Sequence, residues 1–215
     1  YFVGTMGNGI KVYNSEFVET EHLLLDPDKS NQANNFVSAI FEDVCGEIWI
    51  GTSGNGLFKF DLQPKKVQIL RNEPGNPNSL VANNIFSLHV LESGKVWIGT
   101  RLDGISIYDP EEKSCAHLQQ QTANTNGLNS NFVKAIYQDK QGDIWIGTWG
   151  GGLNRYDPKT GRYSYFTDTA TPTSLSDRFV TSICQSSDRK LWVATTNGVS
   201  VLSIDEFEKG LFKNY

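Results

Sequence analysis

One motif recurs along the chain at a nearly constant interval, and this repeat constrains the fold more than any other feature. Four copies begin at residues 47, 95, 143 and 190: EIWIGTSGNGLFKFD, KVWIGTRLDGISIYD, DIWIGTWGGGLNRYD and KLWVATTNGVSVLS. Their tryptophans, Trp49, Trp97, Trp145 and Trp192, are 48, 48 and 47 residues apart, and the chain opens on a shortened copy, YFVGTMGNGIKVYN. Periods of about 20 to 50 residues are typical of propellers, solenoids and arrays.

Each repeat predicts four short strands separated by turn residues. In the third full repeat we expect strands at about 132–138, 143–148, 152–157 and 162–167. The repeats show no helical periodicity. Four strands in a repeat of this length are typical of a β-propeller blade, so we predict an all-β fold made of four-stranded antiparallel blades.

The second strand, IWIGT, is apolar at successive positions, which predicts a strand that is buried on both faces between neighbouring blades. Gly51, Gly99 and Gly147 in this strand leave room for a close approach of another backbone. The run Gly150–Gly152 predicts the tight hairpin that follows, because glycine adopts positive φ without strain. A phosphate-binding loop would instead need a following helix and a Lys-Ser/Thr pair, and the sequence offers neither.

The spacing predicts one propeller segment over residues 1–215. It consists of a partial blade (1–25), three blades (36–71, 85–119 and 132–167) and a last blade (179–215). The first copy lacks an innermost strand, and Ala194 replaces the glycine in the last copy. A seven-bladed ring at this period needs roughly 330 residues. We therefore expect four to five blades of a larger, seven-bladed propeller; closure of a five-bladed ring is the alternative.

Composition excludes several classes of function. A formal charge of −5 argues against nucleic acid or an anionic membrane as the partner, and no apolar run is long enough to span a bilayer. The chain has three cysteines without a CxxC pair and three histidines in different repeats, so we expect no metal, cofactor or catalytic residue. His89 replaces an apolar or aromatic residue of the inner strand and is predicted to pack in the core.

Candidate ligand-binding residues lie at one end of the predicted blades. There, the hairpins between the second and third strands meet the long polar links between blades, at residues 71–84, 119–131 and 167–178. Long loops on a rigid scaffold often carry binding residues. The candidates are the variable hairpin residues and the residue before the last inner strand: Trp149, Arg101, Asp103, Asn55, Asn8 and Arg178.

Each candidate has a structural alternative. Trp149 can stack on a sugar ring, pack on a neighbouring loop or contact a protein partner, and the sequence leaves all three open. Arg101 and Asp103 can bind sugar hydroxyls or form an ordinary surface pair. Asn35, Asn83 and Asn131, which precede the other inner strands, are predicted to cap turns.

The repeat NFVKAIYQDKQGDIWIGTWGGGLNRYDPKTGRY, from Asn131 to Tyr163, resembles that of the two-component-regulator propeller family, and the resemblance covers almost the whole chain. It implies seven-bladed propellers, often two in tandem, in the periplasmic sensor of hybrid histidine kinases common in gut Bacteroidetes. Such sensors respond to oligosaccharides and control polysaccharide-utilisation genes. The chain departs from the family in showing no Tyr-rich immunoglobulin-like domain, membrane helix or kinase.

Three functions therefore remain as hypotheses. The first is a non-catalytic sensor that binds an oligosaccharide and contacts other blades or a second sensor protomer. The second is an interaction scaffold that binds protein and no sugar. The third is a propeller lyase, similar to the antibiotic-cleaving lyases with a related blade pattern; a cluster of His and Glu on one face would favour it, and the sequence shows no such cluster.

Overall fold

The structure, a computed structural model, describes residues 1–26, 35–61, 66–120, 126–169 and 171–215. Its contacts divide the chain into two compact units. The first consists of Tyr1–Thr100 with Ser106–His117, and the second of Arg101–Ile105 with Leu118–Tyr215. The prediction of a single segment over 1–215 stays a prediction. In the described part of the chain, no helix is long and apolar enough to cross a membrane.

The first unit contains three antiparallel sheets. The first sheet has three strands, β1 (Phe2–Gly4), β2 (Ile10–Tyr13) and β3 (Glu19–Leu23). The second has four strands, β4 (Val37–Glu42), β5 (Ile48–Thr52), β6 (Leu57–Asp61) and β7 (Lys66–Leu70). The third consists of β8 (Ile85–Val90), β9 (Val96–Thr100), β10 (Ile105–Asp109) and β11 (Ser114–Leu118). The first residue of β10 and the last residue of β11 are assigned to the second unit.

The second unit contains two antiparallel sheets of four strands. One consists of β12 (Val133–Gln138), β13 (Ile144–Thr148), β14 (Gly152–Asp157) and β15 (Arg162–Phe166). The other consists of β16 (Val180–Gln185), β17 (Lys190–Thr195), β18 (Gly198–Ser203) and β19 (Phe212–Asn214), with a 3₁₀ segment at Ile204–Lys209 before β19. In every sheet the strands pair in chain order, so the predicted all-β, antiparallel blade pattern is confirmed.

The tryptophan strand lies in the interior of its sheet, as predicted. All five residues of β5, β9 and β13 are buried, whereas the outer strands β7, β11 and β15 form sheet edges. The glycine of this strand lies against the inner strand of the next sheet. A Cβ at Gly51 would lie 2.6 Å from Ile85 Cγ2, and a Cβ at Gly147 would lie 2.4 Å from Val180 Cγ1. Only glycine therefore fits without a shift of the neighbouring strand.

Each four-stranded sheet has a β-bulge at the same place in its inner strand. In β12, Val133 pairs with Thr148 and Ala135 pairs with Gly147, so Lys134 is the extra residue. The residues at the corresponding position of the other sheets are Ser38, Phe86 and Thr181. Bulges break the alternation of a strand and re-aim one side chain.

Candidate functional site

In the first four sheets, the hairpin that follows the IWIGT strand or its shortened first copy contacts the residue that lies just before the next inner strand. In every case a hairpin glycine N–H donates to the carbonyl of that residue: Gly9 to Asn35 (3.0 Å), Gly56 to Asn83 (3.1 Å), Gly104 to Asn131 (3.0 Å) and Gly152 to Arg178 (2.8 Å). Hairpins and link ends therefore lie together, as the sequence predicts.

The hairpin Trp149–Gly151 is held in one conformation by its neighbours. Gly150 and Gly152 have φ of 93° and 79°, the left-handed region that favours glycine. Both N–H groups donate to the Arg178 carbonyl. The Asn129 side chain binds the Gly151 carbonyl, and the Ser130 hydroxyl donates to the Trp149 carbonyl at 3.2 Å. The glycine run thus forms the predicted hairpin and presents Trp149 on a fixed backbone.

Trp149 packs against the two residues that immediately precede the inner strands β12 and β16. Its ring centroid is 5.9 Å from that of Phe132 and 4.9 Å from that of Phe179, and both pairs are tilted. The backbone is anchored as well, because the Trp149 N–H donates to the Phe132 carbonyl at 2.9 Å. Even so, 37% of Trp149 remains exposed. Trp149 therefore packs on neighbouring residues, and part of its indole remains exposed to solvent.

Lys134 adds a positive charge to this aromatic cluster. Its Nζ lies 5.8 Å from the centroid of the Phe132 ring and 5.9 Å from that of Trp149, which is cation–π range. Burial lowers the pKa of Lys134 below its ordinary value. We call Trp149, Phe132, Phe179 and Lys134 the indole cluster.

A polar pocket of about 680 Å³ lies beside the indole cluster in the second unit. Arg178 connects the two, because its carbonyl accepts hydrogen bonds from the Trp149 hairpin and the residue lines the pocket. The remaining lining residues are Asp168, Thr171, Ser174, Leu175, Ser176, Asn197, Asn214 and Tyr215. This volume is within the range of about 300 to 1,000 Å³ that small-ligand sites occupy.

Two other pockets are less suited to the predicted binding end. One, in the first unit, is about 160 Å³, which is smaller than usual ligand sites. The other, of about 490 Å³, is lined mainly by residues of β14, β15 and the 3₁₀ segment, including Tyr163 and Phe207. Neither pocket is lined by a candidate residue named from the sequence.

The structure places the other candidates in different settings. The Arg178 guanidinium pairs with Asp168 at 3.1 Å, with about half of the arginine side chain exposed. Arg101 and Asp103 are exposed in their hairpin. In the first unit, Asn8 is exposed, whereas Asn55 is buried and its amide binds the Leu25 carbonyl and the Arg71 guanidinium. These contacts give Asn55 a structural role; its ligand role stays a prediction.

The asparagines before the other inner strands bind backbone N–H groups nine to eleven residues earlier in the chain, rather than capping a local turn. Asn35 Oδ1 accepts from the N–H groups of Leu25 and Asp26, at 2.9 and 3.0 Å. Asn83 Oδ1 accepts from the Asn72 N–H at 2.7 Å, and Asn131 Oδ1 accepts from the Gln120 N–H at 2.6 Å. Parts of the links, residues 121–125 and 170, lie outside the described residues.

Three segments of the chain match one protein-family model. Residues 31–54, 127–150 and 174–197 match the model described as two component regulator propeller. These three segments are similar to two-component regulator propeller repeats. The matched segments include Trp149 and Arg178. The comparison with curated proteins found no match.

One solved structure similar to this chain belongs to a two-component system. The chain is similar to the extracellular domain of a putative hybrid two-component system from B. thetaiotaomicron, with 25% identity and a TM-score of 0.73. The likeness covers 99% of this chain and 26% of that one, so the repeats span about a quarter of the length of that neighbour.

Two further structures share the fold at lower identity. PorZ, a surface component of the type-IX secretion system of Porphyromonas gingivalis, is 19% identical with a TM-score of 0.73 over 100% of this chain and 32% of its own. Virginiamycin B lyase from Staphylococcus aureus is 13% identical with a TM-score of 0.69 over 97% of this chain and 63% of its own. The sheets of these repeats are blades of a β-propeller, as the sequence predicts.

The histidines of the propeller repeats make local contacts in the first unit. His22 Nε2 lies 2.7 Å from the Asn8 carbonyl oxygen, and His117 Nε2 lies 2.9 Å from that of Ser79. His89 packs edge-on against Phe41, as predicted, and burial lowers its pKa to about 4. Among the described residues, no group of three or more His, Cys, Asp and Glu side chains is arranged to hold a metal ion.

The sequence analysis missed Phe132, Phe179 and Lys134. A signal for the first two was present, because phenylalanine also precedes the inner strand at Phe36, whereas Asn84 holds that place in the third sheet. Lys134 was visible as a lysine where the other repeats have Ser38, Phe86 and Thr181. Its position beside Trp149 depends on the bulge, which the alternation of a strand does not reveal.

Proposed function

We propose that this chain is a non-catalytic part of the extracytoplasmic sensor of a hybrid two-component system, and that its second unit binds an oligosaccharide. The observation that carries the proposal is Trp149: an indole held on a rigid hairpin, 37% exposed, beside a polar pocket. Sugar sites commonly combine an apolar platform with a few placed polar groups, which is the general form of a small-ligand site. The sensor-domain neighbour and the family match support the same function.

Each part of the proposed site has a separate task. The exposed part of Trp149 stacks on the apolar face of a sugar ring, and the Phe132 and Phe179 rings keep the indole in place. The pocket side chains Arg178, Asp168 and Asn197 bind hydroxyl groups of a neighbouring sugar. Arg101 and Asp103 lie in the hairpin of the preceding repeat, within the same unit, and bind further sugar rings of a longer ligand.

Signalling then follows from differential affinity. A ligand that binds one arrangement of the sensor more tightly shifts the population toward that arrangement and so alters kinase output. In this proposal the chain is periplasmic and the output controls polysaccharide-utilisation genes. Trp192 is 38% exposed, whereas the corresponding residues Trp49 and Trp145 are buried. Its exposed surface suits contact with another blade or a second protomer.

A thermal-shift screen tests the proposal. The purified chain is melted alone and with plant and host oligosaccharides, because a ligand that binds only the folded state raises the melting temperature. We expect a concentration-dependent rise with one class of sugar and none with its monosaccharide units. A cooperative melt that no sugar of the panel shifts would count against oligosaccharide binding and favour the protein scaffold.

A further inference from the structure

Three links between blades are tied to the sheet that follows them at one repeated position. The residue four places before the inner strand donates its backbone N–H to a side chain of the third strand: Val81 to Ser106 Oγ (2.8 Å), Asn129 to Asn154 Oδ1 (3.2 Å) and Ser176 to Ser200 Oγ (2.9 Å). The backbone contact therefore belongs to the repeat, whereas the side chain at this position differs. It is an asparagine in the sheet that carries Trp149.

The Asn129 side chain reaches the Trp149 hairpin. Its Nδ2 donates to the Gly151 carbonyl, and its Oδ1 accepts from Asn154 Nδ2 at 2.8 Å and lies 3.3 Å from the Thr148 hydroxyl. Asn154 and Thr148 are both fully buried. Because a buried network of hydrogen bonds rigidifies the groups that join it, the Gly151 carbonyl is held from the interior of the sheet.

Gly151 is a glycine for a different reason from its two neighbours. Gly150 and Gly152 have positive φ, and Gly151 does not. A Cβ at Gly151 would instead overlap Asn129 Oδ1 and lie 2.7 Å from Thr148 Oγ1. Gly151 therefore leaves the space that the Asn129 amide occupies.

The equivalent residues of the neighbouring repeats do not hold their hairpins in this way. Val81 is aliphatic, and the Ser176 hydroxyl lies 2.9 Å from the Thr195 hydroxyl instead. The contact between Asn129 and the hairpin is therefore particular to the repeat with the exposed indole, and it is not a requirement of every blade.

We infer that Asn129 is a positioning residue of the proposed sugar site, which orients Trp149 for stacking by fixing the backbone of its hairpin. The inference rests on the proposed function. Together with Ser130, which donates to the Trp149 carbonyl, Asn129 holds the two carbonyls that flank Gly150. The indole then meets a sugar ring in an orientation that is set before binding, so less freedom is lost when the ligand binds.

Fluorine NMR tests the positioning without any ligand. Labelling with fluorotryptophan gives each of the five tryptophans a signal, and Trp149→Phe assigns that of Trp149. Asn129→Ser introduces the residue of the last repeat, and Asn129→Asp sets a carboxylate oxygen against the Gly151 carbonyl. Both should shift or broaden the Trp149 signal well below the melting temperature.

Two further variants make the result specific. Gly151→Ala displaces the Asn129 amide from the other side and should disturb the Trp149 signal as well. Val81→Ala changes the same repeat position in the third sheet and should leave this signal in place. A purely structural role would lower the melting temperature of the Asn129 variants without moving the Trp149 signal, and that result would overturn the inference.

Titration with cellotetraose, mannotetraose, xylotetraose and tetragalacturonate connects the positioning to binding. The sugar that binds wild type most tightly should bind Asn129→Ser roughly three- to tenfold more weakly, the scale on which ordering one mobile side chain lowers affinity. Val81→Ala should bind it like wild type.

Equal affinity of wild type and Asn129→Ser would overturn the inference and leave sugar binding at Trp149 intact. If none of the four sugars binds a chain that melts cooperatively, the proposed function fails and the ligand role of Asn129 fails with it, whatever the NMR signal shows.

Discussion

Asp139 binds the indole of Trp145. Its Oδ2 accepts a hydrogen bond from Trp145 Nε1 at 2.7 Å, and both residues are almost fully buried. Asp139 Oδ1 accepts from the N–H groups of Gln141 and Asp143 at 2.9 and 3.0 Å. One carboxylate therefore closes the turn between β12 and β13 and fixes the tryptophan that fills the interior of the unit.

We predict that Asp139→Asn destabilises the second unit by about 1 to 3 kcal/mol, the cost of an unsatisfied buried polar group. In one orientation the asparagine NH₂ group would face the indole N–H of Trp145, which is also a donor. In the other orientation the NH₂ group would face the N–H groups of Gln141 and Asp143, and those hydrogen bonds would be lost. Chemical denaturation followed by circular dichroism measures the change. In the last sheet Ser186 occupies the position of Asp139, and its hydroxyl accepts a hydrogen bond from the exposed Trp192. Ser186→Ala should therefore change the free energy of unfolding by no more than about 0.5 kcal/mol.

Asp43 holds Trp49 in the same way in the first unit, and its titration gives a pH prediction. Desolvation raises the pKa of Asp43, but the hydrogen bonds from Trp49, Glu47 and Cys45 together lower it below the ordinary value of 3.8. A lowered folded pKa means that the stabilisation is complete above the unfolded pKa and is lost as pH falls through the folded pKa. Asp43→Asn should therefore be most harmful near pH 6, with the difference from wild type shrinking below about pH 4.

Free energies of unfolding measured from pH 6 to pH 3 test this sign. Glu42→Gln removes a charge from the exposed neighbour and is the control. A difference between wild type and Asp43→Asn that grows toward acid would contradict the assignment.

Gly147 supports the packing of the next sheet. A Cβ there would lie 2.4 Å from Val180 Cγ1 and 3.3 Å from Ala135 Cβ, so Gly147→Ala should cost about 1 to 3 kcal/mol through overpacking. At the same place in the last sheet the chain itself has Ala194, so Ala194→Gly should cost at most about 1 kcal/mol. Thermal unfolding of the two variants makes the comparison. Equal melting temperatures for wild type and Gly147→Ala would show that the strands separate more easily than this geometry implies.

The three cysteines should differ in reactivity. Cys45 and Cys184 are exposed, whereas Cys115 is half-buried and burial raises its pKa to about 11. The thiolate is the reactive form, so iodoacetamide at pH 8 should label Cys45 and Cys184 first and Cys115 much more slowly. Mass spectrometry of peptides from timed reactions measures this order, and unfolding in denaturant should abolish it. Labelling of native Cys115 as fast as Cys45 would contradict its placement.

The repeat predicted the fold well because each blade obeys local rules. The apolar IWIGT run, the glycine hairpin and the polar outer strand each depend on neighbouring residues only, and the structure has all of them. The strands expected at about 132–138 and 143–148 occur at Val133–Gln138 and Ile144–Thr148. Asn35, Asn83 and Asn131, predicted as local turn caps, instead bind N–H groups about ten residues earlier in the chain.

The candidate site was predicted less completely because it depends on contacts between repeats. Trp149 was identified from its contrast with the other hairpins, but its packing against Phe179 joins residues of two sheets. Asn55 appeared equivalent to an exposed hairpin residue, yet Leu25 and Arg71 hold its side chain in the interior. A repeat defines which positions correspond, and it does not define which of them face solvent.

Binding at Trp149 is the central claim, and calorimetric titration of the sugar found by thermal shift tests it most directly. The sugar is titrated into wild type, Trp149→Ala and Met6→Ala, where Met6 is the exposed residue at the same hairpin position of the first unit. We predict that Trp149→Ala weakens binding by at least about tenfold, as expected for an aromatic anchor, while Met6→Ala binds with near wild-type affinity. Because Trp149→Ala also removes the ring contacts with Phe132 and Phe179, it should still melt cooperatively but at a lower temperature. Wild-type affinity in a folded Trp149→Ala chain would contradict the account.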